Sequence, residues 1–129
     1  MAVDLNHTIV DATDPAASAA WLSEILGLDA PARWGPFWEV PTSNGVNLDF
    51  HRHEADTDIA PQHYAFLVSE DEFDAAHARI VARGIEFYAD PTGRRAGEIN
   101  HHDGGRGCYF ADPDGHWMEI ITRPYGGGD

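Results

Sequence analysis

The spacing of apolar residues changes from a strand-like period to a helical one in each half of the chain. The segment "LNHTIVDATDPAASAAWLSEILGL" (5–28) reads as a short strand followed by a helix, and "PQHYAFLVSEDEFDAAHARIVARGI" (61–85) has the same layout. Asp14, with Pro15 after it, predicts the start of the first helix, and Gly27 predicts its end. Ser69 and Gly84 predict the limits of the second helix. The sequence therefore predicts an internal repeat.

Each predicted helix carries one apolar stripe. The stripes comprise Trp21, Leu22, Ile25 and Leu26 in the first helix, and Phe73, Ala76, Ile80 and Val81 in the second. A helix with a single apolar face must bury it against another element, so we expect both helices to pack on strands.

The second part of each repeat is a hairpin turn followed by a strand. In an alignment of the two halves, "NGVNLDFHRH" (44–53) lies over "DGHWMEIITR" (114–123), which places Asp49 over Glu119. The segment "YADPTGRRAGEINHHD" (88–103) is an insertion and is predicted to be a long loop. The predicted fold class is α+β, one domain built from two βαβββ modules at about 1–55 and 60–125, with a frayed tail at 126–129.

Strand alternation predicts which side chains share a face. Leu48 and Phe50 should pack on a helix, whereas Asn47, Asp49 and His51 should face the opposite side. By the same rule, His7, His63 and Glu119 lie on three different predicted strands, and their side chains can share the inner face of the sheet. Buried carboxylates without partners are costly, so the polar faces should line a wet concavity, on which two histidines and a carboxylate could converge.

Composition excludes several classes of function. The net charge is −14, and all the cations are Arg because the chain contains no Lys, so nucleic acids and anionic membranes are unfavourable partners. Cys108 is the only cysteine, which excludes a disulfide framework and a cysteine-based zinc site. No segment resembles a secretory signal or a membrane span, and we expect a cytoplasmic protein.

With "HTIVDATDPAASAAWLSEILGL", His63 and "YFADPDGHWMEI", the sequence resembles the vicinal oxygen chelate superfamily, which includes glyoxalase I, extradiol dioxygenases, fosfomycin-resistance enzymes and bleomycin-resistance proteins. The resemblance implies that the paired modules form a curved, cup-like mixed sheet. It also implies a divalent metal held by His7, His63 and Glu119, a ligand set that leaves positions open for a chelating substrate. Fe(II) is the first expectation, followed by Mn, Zn, Ni and Co. Family members pair as homodimers, so a homodimer is expected.

The segment "NHHDGGRGCYFADPDGHWME" resembles the signature of type I extradiol dioxygenases. That resemblance implies that His102 or His101 transfers protons and that Tyr109 hydrogen-bonds a substrate oxygen. The expected substrate is a small molecule with two neighbouring oxygens, and extradiol-type ring cleavage is the leading chemistry.

Other side chains are expected to shape the substrate site. Phe37 and Trp117 would decide which ring fits, and His51 shares a face with Asp49. Asp49 could be a fourth metal ligand, a base or part of the cavity lining. Asp49 or Glu39 could also serve as the base of an epimerase.

The sequence offers three alternatives to the dioxygenase. A glyoxalase or epimerase type of isomerase or lyase remains open. So does a sequestration protein of the bleomycin-resistance kind, which would stack a flat ligand on aromatic residues, namely Trp34, Phe37, Trp38 and Trp117. A fosfomycin thiol transferase is disfavoured, because Ile9 stands where that family has a catalytic Thr and its substrate-contacting Lys has no counterpart here.

Overall fold

The computed structural model describes residues 2–126. The chain separates into two compact units, Met1–Ala60 and Pro61–Asp129. Both units combine a helix with a mixed sheet, which confirms the predicted α+β class. That the two modules form a single domain stays a prediction.

The first unit has the predicted order of strand, helix and three strands. Its elements are β1 (His7–Ala12), α1 (Pro15–Leu26), β2 (Ala32–Trp34), β3 (Phe37–Pro41) and β4 (Asn47–Arg52). The strands are arranged β1-β4-β3-β2, with β1 parallel to β4 and the other pairs antiparallel. Helix α1 packs against β1, β3 and β4, where fully buried Leu22, Ile25 and Phe50 form part of the core.

The ends of α1 follow from local chemistry. The Asp14 carboxylate accepts a hydrogen bond from the Ala17 N–H at 3.1 Å, and Pro15 occupies the first turn. Gly27 ends the helix in the left-handed conformation, with φ at 71°, where a side chain would be strained. Both predicted boundaries are confirmed.

The second unit repeats this order, except that isolated bridges replace the strand expected between its helix and its last two strands. Its elements are β5 (His63–Leu67), α2 (Glu70–Ala82), a short 3-10 turn (His102–Gly104), β6 (Gly107–Ala111) and β7 (Trp117–Ile121). The strands are arranged β5-β7-β6, with one parallel and one antiparallel pair. In place of the remaining strand, Tyr88 makes isolated bridges to Tyr109 and Ala96.

Helix α2 buries a narrower stripe than the sequence predicts. Ser69 caps it by accepting from the Glu72 N–H at 3.1 Å, and Phe73, Ala76 and Ile80 are buried. Val81 is 54% exposed, so its assignment to the buried stripe is wrong. It follows Ile80 by one residue, which turns its side chain about 100° around the helix and away from the core.

The insertion contains short local structure. Asp90 accepts hydrogen bonds from Thr92 Oγ1 and from the backbone N–H groups of Arg94 and Arg95. The predicted loop is confirmed, because neither a named strand nor an α-helix lies between Ala82 and His102. Residues 127–129 of the predicted frayed tail lie outside the described residues, whereas Gly126 donates its N–H to Asp103 Oδ2 at 3.3 Å.

Within residues 2–126, no helix is long and apolar enough to cross a membrane.

Candidate metal centre and substrate face

Glu119 lies in the middle of β7, between the other two strands of its sheet. Its neighbours are Ala65 on β5 and Tyr109 on β6. The residue is only 1% exposed, and such a buried carboxylate needs strong partners. The sheet thus buries a carboxylate at a position where its burial is unfavourable unless specific contacts compensate for the lost hydration.

His63 is the first neighbour of this carboxylate. Its Nε2 atom lies 3.0 Å from Glu119 Oε1, and its Nδ1 atom lies 3.0 Å from the carbonyl oxygen of Trp117. Because a carbonyl oxygen can only accept, Nδ1 carries a hydrogen, and in the neutral ring Nε2 directs a lone pair towards the carboxylate. A divalent cation bound by both atoms would replace that repulsion with attraction. A histidine whose other nitrogen donates to a backbone carbonyl is the usual arrangement of a metal ligand.

Tyr125 provides the second contact, which the sequence analysis missed. Its hydroxyl donates to Glu119 Oε2 and lies 3.0 Å from the Tyr109 hydroxyl. Burial, and then the hydrogen bond to Glu119, raises the pKa of Tyr125. Burial also raises the pKa of Tyr109, and the nearby Glu119 charge adds to the effect. Both phenols therefore stay protonated at neutral pH. The available signal was an aromatic residue in the otherwise glycine-rich end "RPYGGG".

A row of rings extends from His63 along the same sheet. His63 and Tyr109 are stacked with centroids 6.0 Å apart, and Tyr109 stacks on Trp117 at the same distance. Tyr88 continues the row, 5.5 Å from Trp117. Within residues 2–126, the buried Trp117 Nε1 has no hydrogen-bond partner. This aromatic row places flat, polarisable surface beside the His63–Glu119 pair.

The predicted proton-transfer histidines lie at the edge of this site. His101 and His102 are both exposed, and His102 begins the 3-10 turn. The His102 ring meets the Tyr125 ring edge-on at 6.2 Å. Tyr125 therefore lies between His102 and Glu119, an intermediary that the sequence analysis did not include.

The first unit presents a polar sheet face of its own. His7, at the start of β1, is exposed, and its Nδ1 atom lies 2.7 Å from Asn6 Oδ1. Asp49 pairs with Glu39 across β3 and β4. It is only 8% exposed, and its buried Oδ1 has no hydrogen-bond partner within residues 2–126. An orphaned, buried carboxylate oxygen is unfavourable unless something else satisfies it.

Other predicted residues surround Asp49 on this face. Glu39 Oε2 accepts a hydrogen bond from Asn47 Nδ2 at 3.5 Å. Phe37 packs against His51 with ring centroids 5.3 Å apart, and it stacks on Trp34, which is 65% exposed. Trp38 on β3 pairs with Phe50 on β4. Cross-strand partners share a face, so Trp38 projects to the face that packs on the helix and not to the face of Asp49. The predicted substrate residues of this unit, Phe37, Glu39, Asp49 and His51, thus occupy one neighbourhood.

Of the predicted metal ligands, the second unit brings two together. His63 and Glu119 form a pair whose atoms fit a divalent cation, whereas His7 belongs to the first unit. Among residues 2–126, no three His, Cys, Asp or Glu side chains are arranged to hold a metal ion together. The predicted set of three therefore stays a prediction.

Comparison with known proteins identifies the family. The family model described as the Glyoxalase/Bleomycin resistance protein/Dioxygenase superfamily matches residues 4–120. The chain belongs to this superfamily. The resemblance noted in the sequence is thereby confirmed.

Solved and curated relatives agree with this assignment. The structure of "Oxidase ChaP-H1" is 58% identical, covers 98% of this chain and 100% of its own, and superposes with a TM-score of 0.94. Glutathione transferase FosA of Serratia marcescens is 29% identical over 125 residues, which are 93% of this chain and 81% of FosA. Metallothiol transferase FosB of Lysinibacillus sphaericus (strain C3-41) is 27% identical over 92% of this chain and 81% of its own length.

Proposed function

We propose that the protein is a metal-dependent oxidase that acts on a small molecule with two neighbouring oxygens, with extradiol-type ring cleavage as the leading chemistry. The observation that carries this proposal is the His63–Glu119 pair, whose Nε2 and Oε1 atoms are 3.0 Å apart. The name of ChaP-H1, at 58% identity, supports oxidation. Thiol transfer is disfavoured because Ile9 and the lack of Lys depart from the transferase pattern.

The proposed metal ligands are His63, Glu119 and His7. His7 occupies the position in the first repeat that His63 occupies in the second. Two imidazoles and a carboxylate suit Fe(II) first, and also Mn, Zn, Ni or Co. When bound, a divalent metal lowers the pKa of a coordinated hydroxyl and holds two reactants side by side.

The remaining side chains bind the substrate and move its protons. The Tyr109 hydroxyl donates its one hydrogen to the Tyr125 oxygen, so its own oxygen accepts a hydrogen bond from a substrate hydroxyl, and His102 or His101 exchanges a proton with solvent. Trp117 and Phe37 offer ring surface to a flat substrate. Asp49 Oδ1 can accept a hydrogen bond from a substrate hydroxyl, which would satisfy that orphaned oxygen.

The test is to load the protein with Fe(II) without air, add a panel of catechols and then admit oxygen. We expect a coloured ring-fission product that is lost in His102→Ala and in Tyr109→Phe. His77→Ala, on α2, is the matched histidine control and should retain activity. Failure of every catechol to turn over, with metal bound, would exclude ring cleavage.

A sequestration protein is the second candidate. The stacked Trp34 and Phe37 rings, 6.3 Å apart and 65% exposed at Trp34, support it because such surfaces hold flat ligands. Metal content after purification without chelator separates the two functions. A stoichiometric metal supports the oxidase, whereas tight binding of an aromatic antibiotic by metal-free protein supports sequestration. Homodimer formation, which light scattering can measure, and a cytoplasmic location stay predictions.

A further inference from the structure

The two carboxylate oxygens of Glu119 have different partners. Oε1 lies 3.0 Å from His63 Nε2, and Oε2 accepts the hydrogen bond of the Tyr125 hydroxyl. The Tyr109 hydroxyl is 3.0 Å from that of Tyr125, so a chain of two hydroxyls leads away from the carboxylate. Of the two oxygens, only Oε1 faces His63 Nε2.

Tyr125 reaches Glu119 because the segment after β7 is fastened to the 3-10 turn. The Gly126 N–H donates to Asp103 Oδ2, and the Tyr125 ring meets His102 edge-on. Gly105 permits the close approach. A Cβ at this residue would lie 2.6 Å from Thr122 Oγ1 and 2.8 Å from Arg123 Cγ. Several independent contacts therefore hold the tyrosine in place.

We propose that Tyr125 is a positioning residue for the metal ligand Glu119. Its hydroxyl holds Oε2, so that the carboxylate binds the cation through Oε1 alone and in one orientation. This inference rests on the proposed metal site. Without the hydroxyl, a buried carboxylate oxygen loses its partner, and the group is free to turn or to bind through both oxygens.

The experiment is titration of the apo protein with Co(II), following affinity by calorimetry and ligand geometry by the visible spectrum. Tyr125→Phe keeps the ring and removes the hydroxyl, and we expect affinity to fall by about 10- to 100-fold with a changed spectrum. The matched control is Tyr88→Phe. It removes a hydrogen bond of 2.9 Å from a tyrosine hydroxyl to a different carboxylate, that of Glu86. The control should bind Co(II) as the wild type does.

The possible outcomes distinguish failure of the positioning role of Tyr125 from failure of the proposed metal site. Wild-type protein that binds no Co(II) would refute the proposed metal site. Wild-type binding with an unchanged affinity and spectrum in Tyr125→Phe would overturn the positioning role alone, as would equal losses in Tyr125→Phe and Tyr88→Phe. If Tyr125→Phe fails to fold, Gly105→Ala tests the same role by displacing the segment that carries Tyr125, and unchanged Co(II) binding in that variant would also overturn it.

Discussion

Tyr109 and Glu119 lie directly opposite each other on the antiparallel strands β6 and β7. Cross-strand partners project to the same face of a sheet, so the phenol and the carboxylate share one side. Tyr125 then joins their oxygens from the chain end. The sheet supplies the rigid part of the site, and Tyr125 completes its hydrogen bonds.

Replacing a proposed ligand should remove metal and keep the fold. We expect His63→Ala and Glu119→Gln to lose bound metal, because each removes one donor of the 3.0 Å pair. Metal analysis of protein purified without chelator measures this, and circular dichroism checks the fold. The control is His53→Ala, since His53 contacts Asp11 and the Thr57 carbonyl instead. Full metal occupancy in both ligand variants would show that the site is elsewhere.

Asp49 should act on the substrate. We expect Asp49→Asn to bind metal as the wild type does, and to raise KM by about 10-fold, because the amide oxygen that replaces the carboxylate is an uncharged and weaker hydrogen-bond acceptor. Asp58→Asn, an exposed change in the same unit, is the control. Steady-state kinetics and metal analysis together decide the role. Loss of metal in Asp49→Asn would make Asp49 a fourth ligand.

Cys108 should be unreactive and should make the fold sensitive to alkali. Burial, helped by the Glu119 charge, raises the pKa of its thiol from 9.0 to about 12. The folded state therefore favours the neutral thiol. The contribution of this thiol to the free energy of unfolding is fully present below pH 9 and is lost as the pH rises towards 12. Denaturant titrations from pH 8 upward should show a smaller loss of stability in Cys108→Ala. Rapid thiol labelling of the native protein at pH 8 would contradict this prediction.

Two glycines of the second unit should differ in what their replacement disturbs. A Cβ at Gly105 would crowd Thr122 and Arg123, whereas one at Gly107 would lie 3.0 Å from Asn100 Oδ1. Both alanine variants should lose about 1–3 kcal/mol of stability from overpacking. Only Gly105→Ala should also weaken metal binding, because it displaces the segment that carries Tyr125. Thermal melts and metal titrations of the two variants measure these effects.

The sequence alone determined most of the helices and strands, and the faces on which functional side chains lie. Helix caps such as Asp14 and Ser69 act within three residues, and strand alternation is equally local. The repeat added long-range information, because it placed Asp49 and Glu119 at equivalent positions in two modules. Together with the resemblance to the superfamily, this position identified Glu119 as a candidate metal ligand.

The tertiary structure decided which side chains meet. Tyr125 reaches Glu119 through a turn after β7 that is held by Asp103 and permitted by Gly105, and no local period encodes these contacts. The bridges of Tyr88 that replace a strand likewise depend on pairing with Tyr109 across the insertion. These features depend on contacts between residues distant in sequence, whose geometry exists only once the sheet and its loops have folded together.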